Sequence, residues 1–310
     1  MSDQGQPLFA QATLIGIGLI GSSLARGMKA SGAVGQLVIH DADPGILAEA
    51  EALGLGDRYE AAAGVAVAGA DLVILCTPLG AYAAVGAAIS ASLKPGAIVS
   101  DVGSVKQTAL TDLAPHIPAG VHLVPGHPIA GTEHSGPASG FAELFFDRWV
   151  VLTPPSGADA DAVAAVTALW QRLGSMVEIM DATHHDKVLA ITSHLPHLIA
   201  YTIVGTATDL EADTQAEVVR FSASGFRDFT RIAASDPTMW RDVFLANKEA
   251  VLEMLQRFSE DLTALQRAIR WGEGDVLFDL FTRTRAVRRE IIDARQDQPE
   301  WVKQKDGGAE

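Results

Sequence analysis

Hydrophobic residues in the first half of the chain fall in short continuous runs rather than in alternation, and the runs stop at glycine, proline or an acidic residue. Thr13-Leu-Ile leads into glycines, Leu37-Val-Ile-His ends at Asp41, Leu72-Val-Ile-Leu-Cys-Thr77 at Pro78, Ala97-Ile-Val-Ser at Asp101, and Val121-His-Leu-Val at Pro125. Unbroken Val/Ile/Leu runs of this length predict parallel strands covered on both faces. Between them, residues 22–29, 48–53 and the alanine-rich 81–92 read as helix. Two more strands are expected over 149–153 and 176–180, with a helix over 160–173 joining them, and these complete a first unit.

From residue 182 onward strand signals disappear, which places a domain boundary near Asp181. A helix over about 184–208 carries Val188, Leu189, Ile191, Leu195, Leu198, Ile199 and Ile203, with Pro196 inside it. That proline predicts a kink that frees the Thr192 carbonyl. Its uncharged stretch, with His194, Pro196 and His197 at the middle, suits a buried helix lining a site better than a span in lipid. Asp236-Pro237 reads as a cap and first helical residue, and one long helix is expected to follow. In it Val251, Leu255, Phe258, Leu262, Leu265 and Ile269 form an apolar seam that ends at Gly272. Such an edge needs a partner, either the helix expected over 276–294 or a second subunit, and an intertwined homodimer is the expectation.

Composition narrows the class. The 310 residues are 48% hydrophobic, enough for a large core and two domains. A net charge of -15 and no Lys/Arg cluster argue against nucleic acid and anionic membrane surfaces as partners. The one cysteine, Cys76, lies within an apolar run and has no internal disulfide partner, which fits a reducing cytoplasm. Residues 1–11 lack a basic start followed by an apolar core, so no export signal is expected.

The chemistry begins where the first strand breaks into Gly16-Ile-Gly18-Leu19-Ile20-Gly21. In this G-x-G-x-x-G spacing Gly16 allows the tight turn, Gly18 lets a pyrophosphate approach and Gly21 lets helix and strand pack closely. Asp41 ends the next strand about 20 positions after Gly21, where a carboxylate can hydrogen-bond the adenine ribose hydroxyls. No Arg or Lys follows it to neutralise a 2′-phosphate, so NAD is the expected cofactor; the competing role for Asp41 is a helix cap ahead of Pro44. By topology, Thr77, Pro78 and the loop from Asp101 to Lys106 should line the same cleft. The segment 126–136 reads as a turn-rich loop carrying His127, the side chain that titrates nearest neutrality. His194 and His197, three apart on one helical face, lack the Cys or carboxylate that would complete a zinc site, and no metal is expected. Arg227 and Arg231 offer forked donors for carboxylates; one is expected in a structural ion pair, and Arg231 is assigned to substrate.

Taken together, Gly16 to Gly21, Asp101-Val-Gly-Ser-Val-Lys106, Gly126-His-Pro-Ile-Ala-Gly131, Ser193-His-Leu-Pro-His197, Phe226-Arg-Asp-Phe-Thr-Arg-Ile232 and Asp236-Pro-Thr-Met-Trp240 resemble the prephenate/arogenate dehydrogenase family. The resemblance spans most of the chain and departs only slightly, with Gly21-Ser22-Ser23 where Gly-Gly-Ser is common. It implies NAD-dependent oxidative decarboxylation of a cyclohexadienyl ring in tyrosine biosynthesis. His127 is implied as the base, Ser104 as the donor orienting the same hydroxyl, and Arg231 as the clamp on a substrate carboxylate. His197 is implied at the substrate side chain, Thr132 and Glu133 at the entrance, and Arg227 and Trp240 among the substrate contacts. The fold implied is α/β: a Rossmann-type dinucleotide-binding domain (1–181), an all-helical substrate-binding and dimerisation domain (182–296) and a flexible tail (297–310), with no regulatory module after residue 294. The competing readings are a β-hydroxyacid or pyrroline-carboxylate type oxidoreductase and a catalytically silent NAD-sensing protein.

Overall fold

The computed structural model describes residues 6–132, 134–209, 217 and 220–293. Strands β1 (Phe9–Ile15), β2 (Val34–His40), β3 (Arg58–Tyr59), β4 (Leu72–Leu75), β5 (Ile98–Asp101) and β6 (His122–Leu123) form an all-parallel sheet in the order β3-β2-β1-β4-β5-β6. Helices α1 (Leu19–Ser31), α2 (Pro44–Ala52), α3 (Ala63–Val67), α4 (Tyr82–Ile89) and α5 (Lys106–Leu113) make the crossovers. The strand order reverses between β1 and β4, so a crevice opens beyond their carboxyl ends.

The continuous apolar runs follow from this layering. Along β4, Leu72 and Ile74 pack into a cluster with Leu24 and Met28 of α1, whereas Val73 and Leu75 pack on the other side with Tyr82 and Ala109. Both faces are covered, so neither set of alternate positions can be polar. The second cluster also contains Trp240 and Val243, so the helical half shares a core with the sheet.

The strands expected over 149–153 and 176–180 do not join this sheet. They are β8 (Trp149–Leu152) and β9 (Met176–Ile179) of a separate three-stranded sheet, linked by α6 (Ala160–Arg172). Its third strand is β7 (Gly126–Pro128), which corrects the expectation of a loop beginning at Gly126. Glycine and proline hid the strand, and antiparallel pairing of His127 with Val151 creates it; proline is tolerated because β7 lies at the sheet edge.

In the helical half, Asp181 caps α7 (Ala182–Leu189) by accepting from the Thr183 and His184 N–H groups. A π turn over Ala190–His194 leads directly into α8 (Leu195–Thr208). Where a kink is expected at Pro196, the helical run carries a π turn over the residues just ahead of the proline and continues without a break. Next come α9 (Ser224–Thr230), α10 (Pro237–Ala246), α11 (Lys248–Trp271) and α12 (Gly274–Asp293). Asp236 does cap α10, at 2.8 Å from the Met239 nitrogen, but the single long helix is broken at Asn247. The Asn247 side chain is drawn inward to the Asp186 carbonyl at 2.8 Å. Gly272, at φ 68°, ends α11 in the left-handed conformation that suits glycine.

The helical run Ala182–Thr208 is long and apolar enough to cross a membrane by length and composition alone. It is not the buried helix expected, since Ile191 and Ile203 are 48% and 39% exposed. Leu262 and Ile269 on α11, and Phe278 and Phe281 on α12, are likewise exposed.

Candidate active site

The three glycines of the first turn have different physical reasons. Gly16 has φ 92°, and a Cβ there would lie 2.8 Å from the Cys76 carbonyl; one at Gly21 would lie 2.2 Å from the Gly16 oxygen. A Cβ at Gly18 would meet nothing within 4 Å, so the space above the turn is open. Gly18 also begins α1 without a side-chain cap, which leaves the first-turn N–H groups at Leu19 and Ile20 for a ligand.

Asp41 braces this turn: its Oδ2 accepts from the Ile17 nitrogen and its Oδ1 from the Asp43 nitrogen, both at 2.9 Å. A carboxylate has about four acceptor sites, so two remain for ribose hydroxyls. The cap of α2 is Asp43, not Asp41. Across the crevice the Thr77 hydroxyl is buried with no partner among the described residues, and Pro78 beside it is exposed. Open space over Gly18, an uncapped helix start, a braced carboxylate and an orphan hydroxyl fit an NAD molecule.

Asp101 must be reassigned. Its side chain is fully buried, Oδ2 accepts from Tyr82 Oη at 2.7 Å, the Gly103 nitrogen at 2.8 Å and Lys106 Nζ, and Oδ1 accepts from the Gly126 nitrogen at 3.2 Å. Fully buried and held by four protein donors, it organises the β5–α5 corner and does not face a cofactor. Lys106, also fully buried, donates to the Gly126 carbonyl at 2.6 Å, so the pair holds both polar groups of the residue preceding His127. Burial lowers the Lys106 pKa and the Asp101 charge opposes this.

His127 is thereby fixed on β7, next to the loop that carries half-buried Ser104. Its Nδ1 lies 2.9 Å from Nε2 of His185, and His185 Nδ1 lies 2.8 Å from Oδ1 of Asp186. Asp186 in turn accepts from the Lys106 and Gln107 nitrogens at 2.8 and 2.9 Å, which satisfies the start of α5. Burial holds His127 well below the ordinary imidazole pKa, and His185, Lys106 and His194 push the same way. Sequence reasoning missed His185, Asp186 and Asn247. The signal was the polar His184-His185-Asp186 on a helix of otherwise apolar character, without a period to mark which of them faces inward.

His197 lies on α8, its Nδ1 2.9 Å from the Ser193 carbonyl, and Trp240 stacks on its ring at 3.7 Å and 24°. Burial lowers the His197 pKa; the Ser193 hydrogen bond opposes this and the Arg231 charge adds to it, so Arg231 reaches the same region. Trp240 is 7% exposed, between His197, Phe244 and His194. It supports His197 from behind and is corrected from a substrate contact to a packing residue. Arg227 is exposed on α9, and its side chain makes no hydrogen bond or ion pair with a described residue. Thr132 is exposed and its hydroxyl accepts from the His134 nitrogen at 3.2 Å, whereas Glu133 lies outside the described residues. Among the described residues, no group of three His, Cys, Asp or Glu could hold a metal ion.

Comparison with known proteins agrees with this arrangement along most of the chain. Residues 24–179 match the nucleotide-binding domain of prephenate dehydrogenase and residues 181–283 its dimerisation domain. The cyclohexadienyl dehydrogenase of Zymomonas mobilis is 42% identical over 281 residues, covering 91% of this chain and 96% of that protein. The crystal structure of Aquifex aeolicus prephenate dehydrogenase in complex with hydroxyphenyl propionate and NAD+ superposes with a TM-score of 0.84 at 32% identity, covering 94% of this chain and all of that one. The Synechocystis arogenate dehydrogenase structure gives a TM-score of 0.77 at 26% identity, over 91% and 99% of the two chains. With both domain models matched in order and the nucleotide crevice formed, the chain belongs to the prephenate dehydrogenase family and is an NAD-dependent dehydrogenase.

Proposed function

We propose that this enzyme oxidises and decarboxylates prephenate, arogenate or both, with His127 as the base. The observation that carries this reading is the half-buried imidazole of His127, on the strand that the Asp101–Lys106 pair holds at Gly126, and backed by His185. Bound NAD supplies the hydride acceptor for the ring carbon that bears the hydroxyl. His127 accepts the hydroxyl proton as carbonyl character develops, and Ser104 hydrogen-bonds the same oxygen and orients it. The bond from the ring to its carboxylate then breaks, carbon dioxide leaves, the electron pair closes the aromatic ring, and His127 returns its proton to the phenolate oxygen. Arg231 and His197 hold the substrate side chain at the far end, with Thr132 at the entrance. Alignment of this kind supplies roughly 7 to 11 kcal/mol of the barrier when geometry is good.

In this reading residues 1–181 carry the cofactor and 182–296 the substrate and subunit contacts. The exposed apolar faces of α8, α11 and α12 support a homodimer, with the family's dimerisation domain covering residues 181–283. The single free cysteine supports a reducing cytoplasm.

The test is reduced-nicotinamide formation with NAD and prephenate, and separately with arogenate. Turnover that disappears in His127→Asn supports reaction and base together, and the faster substrate names the preference. Turnover of neither, with NAD bound, overturns the reading and leaves a nucleotide-binding protein of other chemistry.

A further inference from the structure

We propose that His185 is a positioning residue that locks His127 in one tautomer, making Nε2 of His127 the atom that takes the substrate proton, with Asp186 as the anchor of the chain. The inference rests on the reading of His127 as the base.

The argument runs outward from the carboxylate. Asp186 accepts two backbone N–H bonds at the start of α5, one of them, from Lys106, on the same Oδ1 that faces His185. With both of its oxygens facing N–H donors, the Asp186 carboxylate is the acceptor toward His185. His185 Nδ1, 2.8 Å away, must therefore carry the proton. A neutral His185 then presents a bare lone pair at Nε2, and His127 Nδ1, 2.9 Å from it, must donate. In neutral His127 the one remaining lone pair is on Nε2. Three groups from two halves of the molecule thus define the reactive atom.

A neutral imidazole stands between the base and the carboxylate, and this has a chemical consequence. When His127 takes a proton at Nε2 its Nδ1–H stays on His185, so the charge is shared between two rings. The charged and titratable groups facing His127 are His185 from α7, His194 from the π turn, and Lys106 from α5 with its partner Asp101. Of these, only His185 is hydrogen-bonded to the His127 ring.

His185→Leu removes the acceptor and lets His127 populate the Nε2–H tautomer, which has no lone pair for the substrate. We expect kcat to fall by about 10²-fold, at the lower edge of what positioned proton transfer contributes, with KM for the better substrate and NAD affinity unchanged. His185→Gln, whose amide oxygen can accept the same N–H, should recover most of that loss. Independently, 15N spectra of histidine-labelled wild-type protein, assigned with His127→Asn, should show His127 protonated at Nδ1 and bare at Nε2. Undiminished kcat in His185→Leu overturns the proposal, as does a proton on Nε2 of His127 in the wild type. If His185→Leu does not fold, the Gln variant and the wild-type spectrum decide. If the wild type turns over neither substrate, the proposed reaction fails, and the spectrum still judges the tautomer lock.

Discussion

An imidazole pushed down by burial and by three cationic or dipolar neighbours stays neutral through the physiological range, which is the state a base needs. The pH dependence follows with a definite sign. His127 is competent when deprotonated, so kcat/KM should be level above the ordinary imidazole value and fall only as pH drops through the lower folded value. An acid limb centred above pH 6.5 would show that His127 is not the group observed. His127→Asn should lower kcat/KM by about 10²- to 10⁴-fold, while NAD binding, measured by fluorescence titration, persists. The same burial acts on stability. His127, His185 and His194, the last held down to about 4, bind protons more readily unfolded than folded. Their contribution to stability is therefore complete above pH 6.5 and is lost as pH falls through the folded values. Urea midpoints that decline from pH 6.5 toward 4, with a shallower decline in His194→Gln, are the expected record.

At the scale of elements, the corner where β5 turns into α5 decides where the base stands. Lys106 and Asp101 neutralise one another in full burial, and each holds one polar group of Gly126. Lys106→Met removes the cation and strands Asp101, which should cost roughly 3 to 5 kcal/mol in denaturant unfolding. A loss near zero would overturn this role for the buried pair. The first glycine turn was legible in the sequence because its requirements are local: a positive φ at Gly16 and a helix that opens within the next residues. Strand β7 was not, because the three residues Gly126-His-Pro128 carry no period, and their pairing with β8 comes from another part of the chain. The break at Asn247 escaped for a similar reason: its side chain bonds Asp186, 61 positions earlier.

At the scale of the whole molecule, the helical half leaves an unusual amount of apolar surface in water. Ile269 at 68% and Phe278 at 70% exposed lie on helices α11 and α12, within or next to the dimerisation match. Patches of this kind mark an interface. Sedimentation should give a dimer at micromolar concentration, and Ile269→Asp should shift it toward monomer and make thermal stability less dependent on protein concentration. A wild-type monomer with the same stability at all concentrations would refute the homodimer.

The sequence by itself determined the parallel strands, the nucleotide turn, the cap at Asp236 and the presence of His127, His197 and Arg231, because each follows from periodicity, spacing or residue type over a few positions. Tertiary structure alone decided that Asp101 serves the fold rather than the cofactor, and that Trp240 backs His197 rather than touching substrate. It also brought His185 to His127 across 58 positions and Asp186 to the start of α5 across 80. Those pairings depend on how two separately formed halves close on a shared core, and no local pattern encodes which side chain a distant helix will present.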